Sequence, residues 1–316
     1  MAHFETEAMA AGGDAAVQST PVLRLPGWIR RALSEGERYA ATARAVHGNR
    51  LHTVCEEARC PNRGECWSRG TATFMLLGDI CTRACGFCAV KTGRPGPLDG
   101  GEPERIAAAV VAMRLRYVVL TSVNRDDLPD GGASVFALTL RGLWRMSPAV
   151  EVELLTPDFR NVQGLAVQIM RDAIEEDRPA DASADRSIVW GHNLETVPRL
   201  YRQARKGSRY ERSLDLLARV AAVPSIEAKS ALMLGLGETQ TEVVAVMEDL
   251  RRCGVRRLSL GQYLRPSREH LPVAEYVHPD AFAEYERIGR GLGFTWIKAG
   301  PLARSSFQAD EIQNSN

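Results

Sequence analysis

Three cysteines, Cys81, Cys85 and Cys88, fall within the run Cys81-Thr82-Arg83-Ala84-Cys85-Gly86-Phe87-Cys88, directly behind the apolar stretch Phe74-Met75-Leu76-Leu77. Thiolates at spacings of four and three can hold three corners of an iron-sulfur cube, which leaves the fourth iron open to a small molecule. A full protein ligand set marks a structural metal site and a vacant position marks a reactive one, a contrast drawn for zinc and carried to iron by analogy. Competing readings fit the spacing less well. Structural zinc uses two close pairs of Cys or His, and a ferredoxin cluster needs four thiolates. Buried apolar cysteines are common, but three on one short Gly-containing loop would be a coincidence.

A second triad, Cys55, Cys60 and Cys66, lies just upstream, and only Cys253, in an Arg-rich helical stretch, stands apart as an ordinary core thiol. Three disulfides are a poor alternative. That framework belongs to small secreted domains, whereas this chain has 316 residues, no apolar signal segment and its six clustered cysteines in about a tenth of its length. A reduced, cytoplasmic location is expected.

The elements that must position these residues follow from composition and periodicity. With 45% hydrophobic and 25% charged residues, the chain can bury a full core as one large domain or two. Forty basic against 39 acidic residues give no global field, so nucleic acid is not an expected partner. No stretch approaches the ~20 apolar residues of a membrane span, so no membrane is expected either. Residues 1–24 read as a mobile N-terminal tail without a signal peptide.

From residue 73 onward, strand-like runs at 73–77, 117–120, 150–155, 187–190, 231–234 and 257–260 alternate with helix-like periodicity at 104–115, 134–145, 162–174, 210–221, 239–253 and 280–292. Glu102-Pro103-Glu104 and Pro279-Asp280 supply helix-start signals. Six strand-helix units predict an α/β fold with a parallel sheet, and too few strands for a full barrel predict a partial (β/α)6 TIM-like barrel. It spans 71–293, with a cysteine-bearing extension at 25–70 and a C-terminal segment at 294–316 closing over the site. In such folds functional groups gather where strands end, and Cys81 follows the first strand at that position. Three further junctions should face the same cavity: Thr121 to Asp127, Gly191 to Glu195, and Gly235 to Glu238. Each alone could be a capped loop.

The Cys-x3-Cys-x2-Cys loop resembles the signature of the radical S-adenosylmethionine (AdoMet) superfamily. The phrases Cys55-Glu56-Glu57-Ala58-Arg59-Cys60-Pro61-Asn62, Leu128-Pro129-Asp130-Gly131-Gly132, His192-Asn193-Leu194-Glu195-Thr196-Val197-Pro198 and Arg304-Ser305-Ser306 closely resemble the lipoyl synthase family within it, over about residues 20–309. The resemblance implies an enzyme that replaces one hydrogen by sulfur at carbons 6 and 8 of an octanoyl chain carried on a lipoyl domain. No side-chain base removes such unactivated protons, so cofactors must supply radical chemistry.

The resemblance further implies two 4Fe-4S clusters. Cys81, Cys85 and Cys88 match the ligands of the one that cleaves AdoMet to a 5′-deoxyadenosyl radical. Cys55, Cys60, Cys66 and an unusual oxygen ligand, Ser306, match those of the auxiliary, sulfur-donating cluster. The expected AdoMet contacts are Thr121, Ser122, Asn124, Arg125, Asn193, Glu195, Gly235, Gly237 and Glu238, since hydroxyls, amides and carboxylates suit ribose and amino groups while glycines allow close approach. His192 reads as a satisfied structural histidine more than a cavity residue, and the basic stretch 202–212 as a solvated helix surface or a contact for an acidic carrier.

The implied partners are octanoylated lipoyl domains of 2-oxo acid dehydrogenase complexes or the glycine cleavage H protein, an electron donor such as ferredoxin or flavodoxin, and an iron-sulfur carrier for cluster refilling. The chain is expected to be a monomer. Departures from the family pattern, namely a long acidic segment at 174–185, Asn124 in place of the usual Asp, and Phe307-Gln308 in place of Tyr-His, suggest a divergent paralogue. Two alternatives stay open: another radical AdoMet sulfur-inserting enzyme, of the biotin-synthase or tRNA-methylthiolating kind, and a non-catalytic iron-sulfur protein.

Overall fold

The computed structural model describes residues 24–29, 36–69, 72–177, 188–224 and 226–306. The expected N-terminal tail up to residue 23, the acidic segment from residue 178 and Phe307-Gln308 lie outside the described residues. In chain order the strands are β1 (His52–Thr53), β2 (Thr73–Leu76), β3 (Ile80–Cys81), β4 (Lys91–Thr92), β5 (Tyr117–Ser122), β6 (Glu151–Leu155), β7 (Ile188–Gly191), β8 (Ile226–Leu234), β9 (Arg257–Gln262) and β10 (Trp296–Gly300). Eight of them make one sheet in the order β1-β2-β5-β6-β7-β8-β9-β10. Every pair from β2 to β10 is parallel, and β1 joins antiparallel at the edge. The sheet ends at β1 and β10 without closing, which is the partial barrel expected.

The outer layer is α4 (Glu102–Ala112), α5 (Ala133–Met146), α6 (Gln163–Asp177), α8 (Tyr210–Ala221), α9 (Gln240–Arg252) and α10 (Pro279–Gly291). The N-terminal extension supplies α1 (Glu37–Gly48), α2 (Val54–Glu57) and α3 (Arg63–Ser68), and a short α7 (Tyr201–Ala204) precedes α8. Strand alternation sorts the residues. Phe74, Leu76, Leu120 and Leu154 are fully buried in the main core with Ile106, Phe136 and Leu140 of the helices, each large side chain stabilising by about 2–3 kcal/mol. Their neighbours Met75, Thr121 and Leu155 line the barrel cavity instead.

Two features depart from the expected pattern. The segment after residue 294, expected as an addition at the barrel's end, first adds β10 to the sheet in parallel register with β9. The strand expected at 231–234 starts at Ile226, because the charged Glu227 and Lys229 that obscure its signal are accommodated inside the fold. Lys229 Nζ lies 2.9 Å from both Glu153 carboxylate oxygens, Tyr117 donates to the same carboxylate at 2.8 Å, and the Trp296 ring sits 5.2 Å from the ammonium. Among the described residues no helix is long and apolar enough to cross a membrane.

Candidate functional site: two cysteine triads on one cavity

β2 runs into Gly78, whose φ of +85° suits glycine, and the chain then turns into the cysteine loop held between β3 and β4. Neighbouring loops pin this loop by its backbone. The Thr82 N–H donates to Asn124 O at 3.0 Å, the Gly86 N–H to Ala204 O at 2.9 Å, and the Leu271 N–H to Gly86 O at 2.9 Å. His270 Nε2–H donates to the Cys88 carbonyl at 3.0 Å, while its Nδ1 accepts from Ser267. Arg83, between the first two cysteines, is buried and forks onto Asp126 with two 2.7 Å hydrogen bonds. The same guanidinium lies 2.6 Å from Asp158 and donates to Ser208 at 2.9 Å. Arg83 and Arg212 together hold Asp158 at about 2 against its own burial.

The thiols themselves are shaped for a cation. Burial and the neighbouring thiols push Cys85 up and Cys88 up to about 12. Cys81 Sγ accepts the N–H groups of Arg83 and Asn124 at 3.4 Å each. Clustered buried thiols that resist ionisation become thiolates when a metal supplies the missing positive charge. Among the described residues no three Cys, His, Asp or Glu side chains gather tightly enough to hold a single ion. A cube that gives each thiolate its own iron has no need of so tight a gathering.

Inside the barrel mouth is a cavity of about 780 Å³ whose wall includes Cys81, Cys85 and Cys88 and, from the N-terminal extension and the tail, Cys60 and Ser306. Thr121, Ser122, Asn124, Asn193 and Glu195 line the same cavity. Ser122 Oγ, Asn124 Oδ1 and Asn193 Oδ1 are buried there without a hydrogen-bond partner among the described residues, a state that buried polar atoms rarely keep unless a ligand completes them. Glu195 has φ +67°, and burial raises its pKa against the opposing pull of Arg205. Arg205 donates to Asn193 O at 2.7 Å and to the Tyr201 hydroxyl at 2.9 Å.

Four expected AdoMet contacts stand off this wall. Arg125 turns away to pair with Asp127 at 2.8 Å. The Glu238 carboxylate caps its own loop by accepting from the Gly235 and Leu236 N–H groups. Gly235 is packed beneath Gln262 and Glu275, and Gly237 faces Ala274. His192 touches the cavity, yet both ring nitrogens are satisfied: Nδ1–H donates to Thr156 O at 2.8 Å, and Nε2 accepts from Ser213 at 3.0 Å. Burial pushes its pKa down to about 4. The basic stretch at 202–212 divides, with Arg205 buried at the site and Arg212 on Asp158, leaving Arg202, Lys206 and Arg209 exposed.

The second triad is spread over α2, the loop after it and α3. Cys55 is buried, and burial and Cys60 raise it to about 11. Cys60 reaches the cavity, and Cys66 packs against the core. The C-terminal tail closes over this side. Asn62 donates its side-chain N–H to Leu302 O at 2.8 Å, Thr73 donates to Ser306 Oγ at 3.0 Å, and a Cβ on Gly261 would strike the Ala303 carbonyl. None of the seven cysteines forms a disulfide. Sequence reasoning missed Arg83, Arg205, Thr73 and His270. Only Arg83 carried a local signal, an arginine inside the cysteine motif.

Residues 75–250 match the family model of the radical SAM superfamily, and residues 5–60 match that of the N-terminal domain of lipoyl synthase. The chain is 52% identical over 290 residues to a lipoyl synthase of Methylococcus capsulatus, covering 92% of this chain and 86% of the relative. It is 51% identical over 287 residues to a lipoyl synthase of Rubrobacter xylanophilus, covering 90% and 85%. Among solved structures, Streptococcus suis SuiB bound to S-adenosylmethionine superposes with a TM-score of 0.52 at 12% identity, over 75% of this chain and 54% of that one. That likeness concerns the fold.

Proposed function

This chain belongs to the lipoyl synthase family of radical SAM enzymes, and we propose that its two cysteine triads divide that family's reaction between two walls of one cavity. The family uses AdoMet and 4Fe-4S clusters to insert two sulfur atoms into octanoyl groups on lipoyl domains. In our reading Cys81, Cys85 and Cys88 hold the cluster that engages AdoMet. Cys55, Cys60, Cys66 and Ser306 hold the auxiliary cluster. When bound, these groups supply a radical that removes hydrogen and the sulfide that replaces it.

The observation that carries the assignment is the shared cavity: Cys81, Cys85 and Cys88 line it together with Cys60 and Ser306. A carbon that loses hydrogen at one group must meet sulfur at the other without leaving the pocket, because a displaced radical reacts elsewhere. The cavity volume, about 780 Å³, falls within the roughly 300–1,000 Å³ of ligand pockets. Ser122 Oγ, Asn124 Oδ1 and Asn193 Oδ1 offer unpartnered atoms to the polar parts of AdoMet, with Thr121 and Glu195 beside them. Met75, Leu155, Leu232, Met233 and Val90 give the octanoyl chain an apolar wall that excludes water.

The octanoylated carrier domain meets the cavity mouth, where Arg59, Arg265 and Arg268 stand. A ferredoxin- or flavodoxin-like donor supplies electrons, and an iron-sulfur carrier refills the auxiliary site. Seven cysteines outside any disulfide support a reducing, cytoplasmic setting. The test is anaerobic: reconstituted protein should hold roughly eight irons, on the two-cluster arithmetic, and with AdoMet, reductant and an octanoylated peptide should release 5′-deoxyadenosine and add two sulfurs by mass. Deoxyadenosine with an unmodified peptide would assign the site to another substrate.

A further inference from the structure

Thr73 opens β2, is buried, and reaches toward both ends of the chain. Its hydroxyl donates to Ser306 Oγ at 3.0 Å, across 233 positions of sequence. The β1–β2 ladder ends at the Thr53–Phe74 pair, next to Thr73. A valine would satisfy the strand and fill the same space. The hydroxyl is therefore the part of Thr73 that the fold itself does not need.

We propose that Thr73 is a positioning residue for the auxiliary cluster: one residue of a rigid strand, next to the Thr53–Phe74 pair that leads into Cys55, holds Ser306 Oγ in place, so that ligands from opposite ends of the chain meet the same cube. The proposal rests on the reading of Ser306 as a ligand. Ser306 sits beyond β10 in a turn with no helix or strand of its own, and such a segment needs an anchor to present one oxygen reproducibly. Binding iron forms an Fe–O bond and releases the Ser306 hydroxyl proton to solvent. The resulting oxyanion is a hard ligand, and an O–H donor aimed at it forms a charge-assisted hydrogen bond of about twice ordinary strength. Thr73 already donates in that direction.

The test uses the full-length chain, reconstituted anaerobically as wild type, Thr73→Val, Thr73→Ser and Ser306→Ala, with iron content and Mössbauer spectra as readouts. All four should retain the first cluster, roughly four irons per chain. In Thr73→Val the auxiliary signal should move toward that of Ser306→Ala, with the ratio of serine-bound to serine-free cluster falling about tenfold. Thr73→Ser restores the donor and should match wild type. A wild-type spectrum from Thr73→Val beside an altered one from Ser306→Ala overturns the proposal alone. A wild-type spectrum from Ser306→Ala overturns the ligand reading beneath it as well. Thermal melting of the metal-free variants separates positioning from misfolding. Should Thr73→Val fail to fold, a Thr73→Ser spectrum like that of Ser306→Ala still overturns the proposal.

Discussion

Arg83 Nη2 lies 2.6 Å from Asp158 Oδ1, and this contact fastens the loop between Cys81 and Cys85 to the loop that follows β6. Asp126, from the loop after β5, grips the same guanidinium. Two strand-end loops thus hold one cysteine loop through a single side chain. In the proposed reading, the Cys-x3-Cys spacing names the atoms that bind iron. Arg83 states where those atoms stand.

Replacing Arg83 by Gln should destabilise the metal-free chain by about 3–5 kcal/mol, because Asp158 is left buried with one cation fewer. Lys at this position should recover part of the loss, since it keeps the charge but not the fork. Denaturant midpoints and iron per chain measure both effects. A midpoint equal to wild type in Arg83→Gln would show that the clamp carries no stability.

Cys88→Ala should remove roughly four irons per chain and abolish deoxyadenosine formation while leaving the auxiliary cluster spectrum in place. Iron assay and EPR of the reduced protein report the two clusters separately. Loss of both clusters together would contradict their assignment to independent triads.

Asn193→Ala should weaken AdoMet binding about tenfold, the equivalent of one lost hydrogen bond, because Asn193 Oδ1 is buried on the cavity wall without a hydrogen-bond partner among the described residues. Calorimetric titration of AdoMet into the reconstituted protein checks this.

His192 makes a pH prediction with a definite sign. Its pKa falls from the ordinary 6.5 to about 4 in the folded state, so between those values the unfolded chain binds the extra proton. Stability from this residue is therefore fully present above 6.5 and is lost progressively as pH falls toward 4, by about 3 kcal/mol at most. Melting curves of metal-free wild type and His192→Gln across pH 4–7 should converge on the acid side. Parallel curves would place the imidazole in a less buried setting.

At the barrel floor, Lys229→Met should cost about 3–5 kcal/mol by stranding the Glu153 charge, and adding Glu153→Leu should restore much of it. Equilibrium unfolding of the single and double variants reads the coupling. Additive losses would mean the two side chains do not act as a pair.

The same Lys229–Glu153 pair shows why part of the fold was hard to read. Buried parallel strands announce themselves as apolar runs, and Val118-Val119-Leu120 did so. Ile226-Glu227-Ala228-Lys229 did not, since Lys229 is neutralised by Glu153, 76 positions away, and Glu227 pairs with Arg257. Trp296–Gly300 is a short mixed run whose strand character comes from pairing with β9. At the site, cysteine spacing was legible because ligand geometry leaves a local pattern. The side chains that present the ligands left almost none: Thr73, Arg205 and His270 act across the fold. Gly235, Gly237 and Glu238 carried a binding-loop pattern that the structure uses for a turn closing on itself.

The hydrogen bond from Asn62 to the Leu302 carbonyl closes a circuit of 240 residues, and its consequence is temporal. A chain grows from its N-terminus, so the segment bearing Cys55, Cys60 and Cys66 is made well before the tail that roofs it. The barrel and its cysteine loop can be complete while that roof is still unmade. Closure therefore has an order built into the contacts: the strand-end cysteine loop is made before the tail, and the N-terminal triad is roofed only once that tail has been made.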